Sequence, residues 1–262
     1  MRSIFPLYPN VVFPINLFSI ANLDPTQFAA SVDLASFQAW VEECGADFFP
    51  AACMTATQRY DTPEFFLSHT EDHPLSGATP KRKREFSAGR ESARTALTKL
   101  GIVDTHIPIG LSREPLWPDG MVGSISHSAG LAIAIVAPRS HFAAIGIDIE
   151  LAETVDRSLW SDILTYREIE WILKHSATQH ANLASVIFCA KESFYKLQFP
   201  ATKAWVDFLD AEVSPDLDTG TFRLRCAQRS VARVFERREF VGKYILLNGF
   251  ILVIMHLPTT DI

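Results

Sequence analysis

The sequence predicts an α+β protein, because helical and strand patterns are mixed without the regular βαβ alternation of a doubly wound sheet. Two observations support this prediction. Residues 81–101 repeat apolar side chains at helical spacing, and Gly101 can end the helix. The C-terminal part instead carries short apolar runs, and Asn248 and Gly249 between two of them favour a hairpin turn because both residues tolerate positive φ.

The other elements follow from the same patterns. Helices are expected over 166–175 and 182–199, the second ended by Pro200. We expect the turn-dense segment 115–130 to be a loop, and the two apolar runs after it to be paired strands. All expected strands are short apolar runs, namely residues 131–138, 141–150, 205–213, 221–227, 241–247 and 249–256.

Composition sets broad limits on function. The 262 residues are 48% hydrophobic and 21% charged, which is typical of a globular chain. The net charge of −6 argues against nucleic acid as a partner, and the most apolar stretch, residues 244–257, is too short to span a membrane. Four scattered cysteines favour a reducing cytoplasm, and prolines in the first 14 residues disfavour a signal peptide. These residues are Cys44, Cys53, Cys189, Cys226, Pro6, Pro9 and Pro14.

The first candidate site is a pair of acids in the GIDIE segment. Asp148 and Glu150 stand two apart on an expected strand, so both carboxylates project from one face. Neighbouring carboxylates repel each other, and a hard cation such as Mg²⁺ between them turns the arrangement favourable. The alternative interpretation is a solvated acidic face, and this pair alone does not decide between them.

Two further groups have the residue types that bind phosphate. Glu192 and Lys196 are four apart on a predicted helix, which could supply a further metal ligand and a cation, or could be an ordinary surface ion pair. Arg82 and Arg90 lie on or just before the basic helix, and His127 lies in the GSISH segment. Guanidinium groups can bind phosphate in a bidentate manner, although a solvated basic face is the alternative.

Two other functions are compatible with part of this pattern. Ser126, His127 and Asp148 could form a hydrolase triad, but the glycines of the GxSxG nucleophile motif are missing. A module that binds a nucleotide or a carrier protein without turnover would need the basic group, and it would leave the three acids unexplained.

Four blocks in order, KRKREF with the later GR, WPDGMVGSISH, GIDIE and FCAKESFYK, resemble the phosphopantetheinyl transferase superfamily. The similarity is to its surfactin-type members, and more closely to the enterobactin-synthase-component branch. It implies an enzyme that moves 4'-phosphopantetheine from coenzyme A to a serine of an acyl or peptidyl carrier protein. It also implies a pseudo-twofold arrangement of two similar halves with the substrate between them, here residues 1–139 and 140–262.

The resemblance implies roles for individual residues. Asp148, Glu150 and Glu192 would hold Mg²⁺, or Mn²⁺ in its place, against the pyrophosphate of coenzyme A. Lys196 and Lys191 would contact phosphate oxygens, and Glu192 or a metal-held water would take the serine proton. Arg82, Arg90 and His127 would hold the adenosine 3'-phosphate end of coenzyme A, and Arg113 and Ser126 would make further contacts to it.

One segment departs from the family pattern. Where relatives carry a GDKxxP-like segment, this chain has residues 110–115 with Ser112 in place of the lysine, so Arg113 is the nearby cation. A monomer is expected, and acidic carrier proteins would meet a local basic and apolar patch near the Lys81 helix or residues 153–185. The pathway served does not follow from these motifs.

Overall fold

The computed structural model describes residues 33–261, except residues 44, 61–66, 69–70, 72–76 and 104. The N-terminal prolines that disfavour a signal peptide therefore lie outside the described residues. The described helices are α1 (Leu34–Glu43), α2 (Pro80–Lys99), α3 (Trp160–Ile163), α4 (Tyr166–Ile172), α5 (His180–Thr202) and α6 (Arg229–Phe235). The described strands are β1 (Met54–Arg59), β2 (Met121–Ser128), β3 (Leu131–Pro138), β4 (Phe142–Leu151), β5 (Ala211–Asp216), β6 (Thr221–Cys226), β7 (Glu239–Leu247) and β8 (Phe250–Pro258). The predicted α+β class is confirmed.

The first sheet has the antiparallel order β1-β3-β2 and carries α2 on one face. Helix α2 begins at a strong signal, since the Thr79 side chain accepts a hydrogen bond from the Arg82 amide and Pro80 occupies the first turn. It ends just before Gly101, whose φ is +80°. The helix predicted over residues 81–101 is thus confirmed, and its apolar side packs on the buried side chains of β3.

The second sheet has the antiparallel order β4-β8-β7-β6-β5, and the long helix α5 lies across β4 and β8. The hairpin between β7 and β8 turns at Asn248 and Gly249, whose φ values are +49° and +81°. Positive φ at both central residues is the type I′ pattern, so the predicted hairpin is confirmed. Each sheet thus carries a long helix, α2 in the first half and α5 in the second.

The two sheets meet along β2 and β4, which run side by side in the same direction. The Ser124 hydroxyl accepts a hydrogen bond from the Ile147 amide at 3.1 Å, and the Ser126 hydroxyl accepts one from the Ile149 amide at 3.4 Å. Serine side chains therefore connect two strands that belong to separate sheets. Strand β3 ends at Pro138 and β4 begins at Phe142, so the chain passes from the first sheet to the second within residues 139–141.

Several sequence predictions are wrong. The GSISH segment lies on strand β2, because the glycine and serines that indicated a loop are buried where the two sheets meet. Strands β3 and β4 belong to different sheets and do not pair. Pro200 does not end α5, because a proline in the last turn costs little of the helix and the left-handed Lys203 ends it instead. Residues 205–210 form an irregular stretch and a 3-10 turn, and the strand begins only at Ala211.

Gly146 sets the distance between β4 and α5. A Cβ atom at this position would overlap the backbone oxygen of Ser193 and lie 3.0 Å from Leu197 in α5. Any larger residue must therefore push the helix away from the strand. The same strand carries Asp148 and Glu150, and the same helix carries Glu192 and Lys196, so this glycine controls how closely the candidate site residues approach each other.

We expect Gly146→Ala to lower the free energy of unfolding by about 3 kcal/mol, because the overlap is with backbone and cannot be relieved by a rotamer change. Urea denaturation at equilibrium measures this change. The matched control is Gly101→Ala, where no atom lies within 4 Å of the new methyl group. The control should cost about 1 kcal/mol through its positive φ, and equal losses in the two variants would contradict the close-approach argument.

Candidate functional site

A cavity of about 450 Å³ lies where the two halves meet. It is bounded by α2, β2, β4, α5 and the segment 112–115. Every site residue predicted from the sequence borders this cavity, with the exception of Lys191. The residues that border it are Arg82, Arg90, Arg113, Ser126, His127, Asp148, Glu150, Glu192 and Lys196. The fold therefore gathers residues that are up to 114 positions apart in the chain (Arg82 to Lys196, 196 − 82) into one space.

The basic group lies on α2 and β2. The Arg82 guanidinium donates to Nε2 of His127 at 2.9 Å, which fixes that nitrogen as the acceptor. Arg90 is buried, donates from Nε to the Ile107 carbonyl at 2.8 Å and covers the Phe86 ring at 4.3 Å. Burial lowers the pKa of Arg90 to about 10. Burial also lowers the pKa of His127, so its ring is neutral at neutral pH beside the Arg82 charge.

The acidic group is built around Asp148 on β4. Its Oδ1 atom accepts from Lys196 Nζ at 2.6 Å and from the Ser126 hydroxyl at 2.7 Å. Its Oδ2 atom is buried and has no partner at hydrogen-bond geometry among the described residues. Burial and the Asp148 carboxylate raise the pKa of the buried Cys189 thiol on α5, which therefore stays protonated beside this carboxylate. Such an unpartnered carboxylate oxygen is costly in a protein interior, which makes it a ready ligand for a cation.

Glu150 lies on the same face of β4 as Asp148, as the alternation predicted, while Ile147 and Ile149 are buried on the opposite face. The Ser128 hydroxyl donates to Glu150 Oε2 at 3.0 Å. Burial, followed by repulsion from Asp148, raises the pKa of Glu150 to about 7. The same two causes, in the same order, raise the pKa of Glu192. These carboxyl groups thus resist carrying negative charge together without a cation.

The residues fit a divalent cation in part. Two carboxylates on one face of β4 and the unpartnered Oδ2 of Asp148 are the hard oxygen ligands that Mg²⁺ takes, usually one or two from protein with the rest from water and substrate phosphates. Across the described ranges, no group of three or more His, Cys, Asp or Glu side chains could hold a metal ion together. The predicted metal role of Glu192, together with Asp148 and Glu150, therefore stays a prediction.

The hydrolase alternative fails on geometry. Ser126 donates to Asp148 directly, and the adjacent His127 is bound to Arg82. A triad needs the histidine between the serine and the acid, where it can take the serine proton. The order of contacts here excludes that mechanism.

Comparison with known proteins assigns the family. Residues 70–137 match the model of the 4'-phosphopantetheinyl transferase N-terminal domain, and residues 144–246 match that of the 4'-phosphopantetheinyl transferase superfamily. The 4'-phosphopantetheinyl transferase Npt of Nocardia iowensis is 32% identical over 211 residues, which cover 77% of this chain and 94% of that protein. The chain belongs to the 4'-phosphopantetheinyl transferase superfamily.

Other superfamily members are similar over shorter stretches. The 4'-phosphopantetheinyl transferase PptT of Mycobacterium tuberculosis is 36% identical over 162 residues, or 61% of this chain and 70% of that protein. Enterobactin synthase component D of Salmonella typhimurium is 40% identical over 124 residues, or 47% of this chain and 50% of that protein. The family predicted from the ordered motifs is thus confirmed, and the enterobactin component is among its similar members.

One site prediction for this superfamily member is contradicted. Lys191 does not border the cavity, because its ammonium group is buried on another side of α5. There it donates to Glu168 Oε2 at 2.7 Å and to the carbonyls of Ile163 and Phe208 at 2.8 and 2.9 Å. These three bonds use all three donors of the lysine. Lys191 therefore anchors α5 to α4 and to the chain before β5, and it is not a phosphate contact in this structure.

Three polar residues near the cavity were not predicted. Glu85 is one turn after Arg82 on α2 and borders the cavity, a position that helical spacing could have indicated. Glu114 borders the cavity and binds Lys203 of the other half at 2.7 Å. Ser128 binds Glu150. The contacts of Glu114 and Ser128 join distant parts of the chain, so the sequence alone does not indicate them.

We expect Lys191→Met to lower the free energy of unfolding by about 3–5 kcal/mol, because it leaves the Glu168 carboxylate buried without its counter-ion. The matched control is Lys203→Met, which breaks an ion pair whose lysine side chain is 54% exposed. That control should cost no more than about 1 kcal/mol. Chemical denaturation measures both variants, and a loss of equal size in each would contradict an anchoring role for Lys191.

The raised pKa of Glu150 predicts a pH-dependent stability in the presence of a chelator. The folded-state pKa of about 7 exceeds the ordinary value of 4.5, so the folded protein binds this proton more tightly than the unfolded chain does. The resulting stability is fully present below the unfolded pKa and is lost as the pH rises through the folded pKa. We expect the free energy of unfolding to fall by up to about 3 kcal/mol between about pH 5 and about pH 7.5.

Glu150→Gln removes this titration and should flatten the pH dependence. Denaturation curves over that pH range measure the difference, and Glu170→Gln, at an exposed position of α4, serves as the control. A wild-type slope that Glu150→Gln leaves unchanged would show that the acid does not hold its proton in the folded state.

Proposed function

We propose that this chain transfers the 4'-phosphopantetheine group from coenzyme A to a serine of an acyl or peptidyl carrier protein and releases adenosine 3',5'-bisphosphate. Membership of the superfamily supports this activity. One observation in the structure carries the proposal: a single cavity between the two halves is bordered by a basic group, a cluster of carboxylates and a lysine. Coenzyme A presents a 3'-phosphate and a diphosphate, and the cavity offers a cationic region for the first and an acidic, metal-attracting region for the second.

The basic group is suited to the 3'-phosphate of the adenosine end. Arg82 carries a guanidinium whose side chain is 51% exposed, and it stands beside the neutral His127. Guanidinium forks bind phosphate oxygens through two parallel hydrogen bonds, and this geometry favours Arg over Lys at such a site. Arg90 and Arg113 also border the cavity and add positive charge. Arg113 lies in the segment that departs from the family pattern, and its φ is +70°.

The acidic group is suited to Mg²⁺ beside the diphosphate. Asp148 and Glu150 would hold the ion from β4, and Glu192 would face it from α5. When bound, Mg²⁺ neutralises charge that builds up on the phosphate oxygens as the phosphoanhydride bond breaks. The unpartnered Oδ2 of Asp148 and the raised pKa values of Glu150 and Glu192 support this assignment.

Lys196 supplies a positive charge next to the reacting phosphate. The Asp148 carboxylate holds its ammonium group at 2.6 Å, and two carboxylates raise the Lys196 pKa against the lowering effect of burial, so the lysine is charged at neutral pH. In the reaction the carrier serine oxygen forms a bond to the phosphorus that bears pantetheine. The bond from that phosphorus to the bridging oxygen breaks, and the electron pair leaves with adenosine 3',5'-bisphosphate.

The serine proton needs an acceptor within hydrogen-bond reach of the attacking oxygen. Glu192 is the candidate among this chain's side chains, because it borders the cavity one helical turn before Lys196. Glu192 is also proposed to face the cation, whose positive charge favours the ionised carboxylate. Glu192 would therefore release the proton to solvent after the transfer.

The test incubates the purified chain with coenzyme A, Mg²⁺ and a panel of apo carrier proteins. Intact-protein mass spectrometry should show the addition of one phosphopantetheine to at least one carrier, and Asp148→Ala and Lys196→Ala should lower the rate by roughly 10²–10³. Lys174→Ala, on the exposed surface after α4, is the control and should retain the wild-type rate. Coenzyme A binding without transfer to any carrier would instead support a binding module.

A further inference from the structure

Three serines of β2 face β4, and each hydroxyl is bonded to that strand. Ser124 accepts from the Ile147 amide at 3.1 Å, and Ser128 donates to Glu150 at 3.0 Å. Ser126 lies between them and has a different environment, because its partners come from two elements instead of one. This hydroxyl row, Ser124, Ser126 and Ser128, connects the two sheets next to the cavity, in addition to the hydrophobic core that both sheets share.

The Ser126 hydroxyl makes three hydrogen bonds within the protein. It donates to Asp148 Oδ1 at 2.7 Å, and it accepts from Lys196 Nζ at 2.8 Å and from the Ile149 amide at 3.4 Å. A hydroxyl group has one donor and two acceptor sites. The group is therefore saturated, and the residue is only 4% exposed. Contact between this hydroxyl and coenzyme A would require one of the three bonds to break.

We propose that Ser126 is a positioning residue that locks Asp148 and Lys196 into one geometry, and that its side chain does not bind coenzyme A. The proposal rests on the proposed function, since it concerns the same site. Asp148 comes from β4, Lys196 comes from α5 and Ser126 comes from β2. The hydroxyl thus ties the two charged groups of the second half to the sheet of the first half.

The two oxygens of the Asp148 carboxylate have different roles in this arrangement. Oδ1 is committed to Lys196 and Ser126, while Oδ2 is left without a partner among the described residues. Loss of the Ser126 hydroxyl frees the carboxylate to rotate, and Lys196 moves with it because the two groups are ion-paired. The expected result is a site that still binds coenzyme A but aligns its charges poorly for transfer.

The steady-state test compares Ser126→Ala, Ser126→Thr and Ser124→Ala with the wild type. Ser126→Ala should lower kcat by roughly 10- to 100-fold and leave the KM for coenzyme A within about twofold, since it disturbs alignment and not binding. Ser126→Thr keeps the hydroxyl and should recover kcat to within about fivefold of the wild type. Ser124→Ala removes a matched hydroxyl of the same row that touches neither charged group, and it should stay within about threefold.

Two results would overturn the proposal. A rise in the KM for coenzyme A of about tenfold or more in Ser126→Ala, with kcat retained, would make the hydroxyl a ligand contact. A kcat loss in Ser124→Ala equal to that in Ser126→Ala would mean that the row serves only to join the sheets. If Ser126→Ala does not fold, Ser126→Cys keeps the volume but bonds weakly, and a wild-type kcat in that folded variant would also overturn it.

A binding measurement separates this inference from the proposed function. Mn²⁺ affinity of the chain without substrates, followed by electron paramagnetic resonance, should weaken roughly 10-fold in Ser126→Ala and stay unchanged in Ser124→Ala. If the wild type transfers nothing to any carrier but shows this Mn²⁺ difference, the proposed function fails and the positioning role stands. If the wild type transfers normally and the Ser126→Ala variant matches it in both measurements, the positioning role alone fails.

Discussion

The contact between Asp148 and Lys196 organises the cavity, because it joins strand β4 to the long helix α5. Each group is largely removed from solvent, so either charge alone would be costly to bury. Their pairing lowers that cost and fixes where both point. The Ser126 hydroxyl extends the contact to the first half of the chain. The acidic and basic sides of the cavity are thereby held in one spatial relation, although they come from different sheets.

Two lysines on different faces of α5 fix the orientation of the helix about its own axis. Lys196 turns toward the cavity, and Lys191 turns toward α4, with the two positions about 140° apart around the helix axis. Gly146 lets the helix lie close against β4. Rotation and distance are thus set by separate contacts, and Glu192 borders the cavity as a result. A site that uses side chains from a helix and a strand needs both of these constraints to be met together.

The sequence predicts the parts of the site that depend on local spacing. Asp148 and Glu150 share a face because side chains alternate along a strand, and the helix carrying Arg82 and Arg90 follows from its apolar period. Contacts between distant segments were beyond reach. Lys196 pairs with Asp148 and not with its helical neighbour Glu192, and Lys191 faces away from the cavity, because tertiary packing decides both. The sequence does not predict strand β2, because glycine and serine favour turns and loops over strands. In the structure, the serine hydroxyls of β2 accept hydrogen bonds from the backbone amides of β4.

The serine row between β2 and β4 joins the two sheets in a different way from a backbone ladder. Strands joined by a backbone ladder lie about 4.8 Å apart whatever their side chains are. Here serine side chains bridge the two strands, and buried side chains of both sheets also pack into one core, which joins Ile133 and Ile135 to Ile147 and Ile149. Any change in the width of the cleft therefore has to be accommodated by that shared core as well as by the serine row.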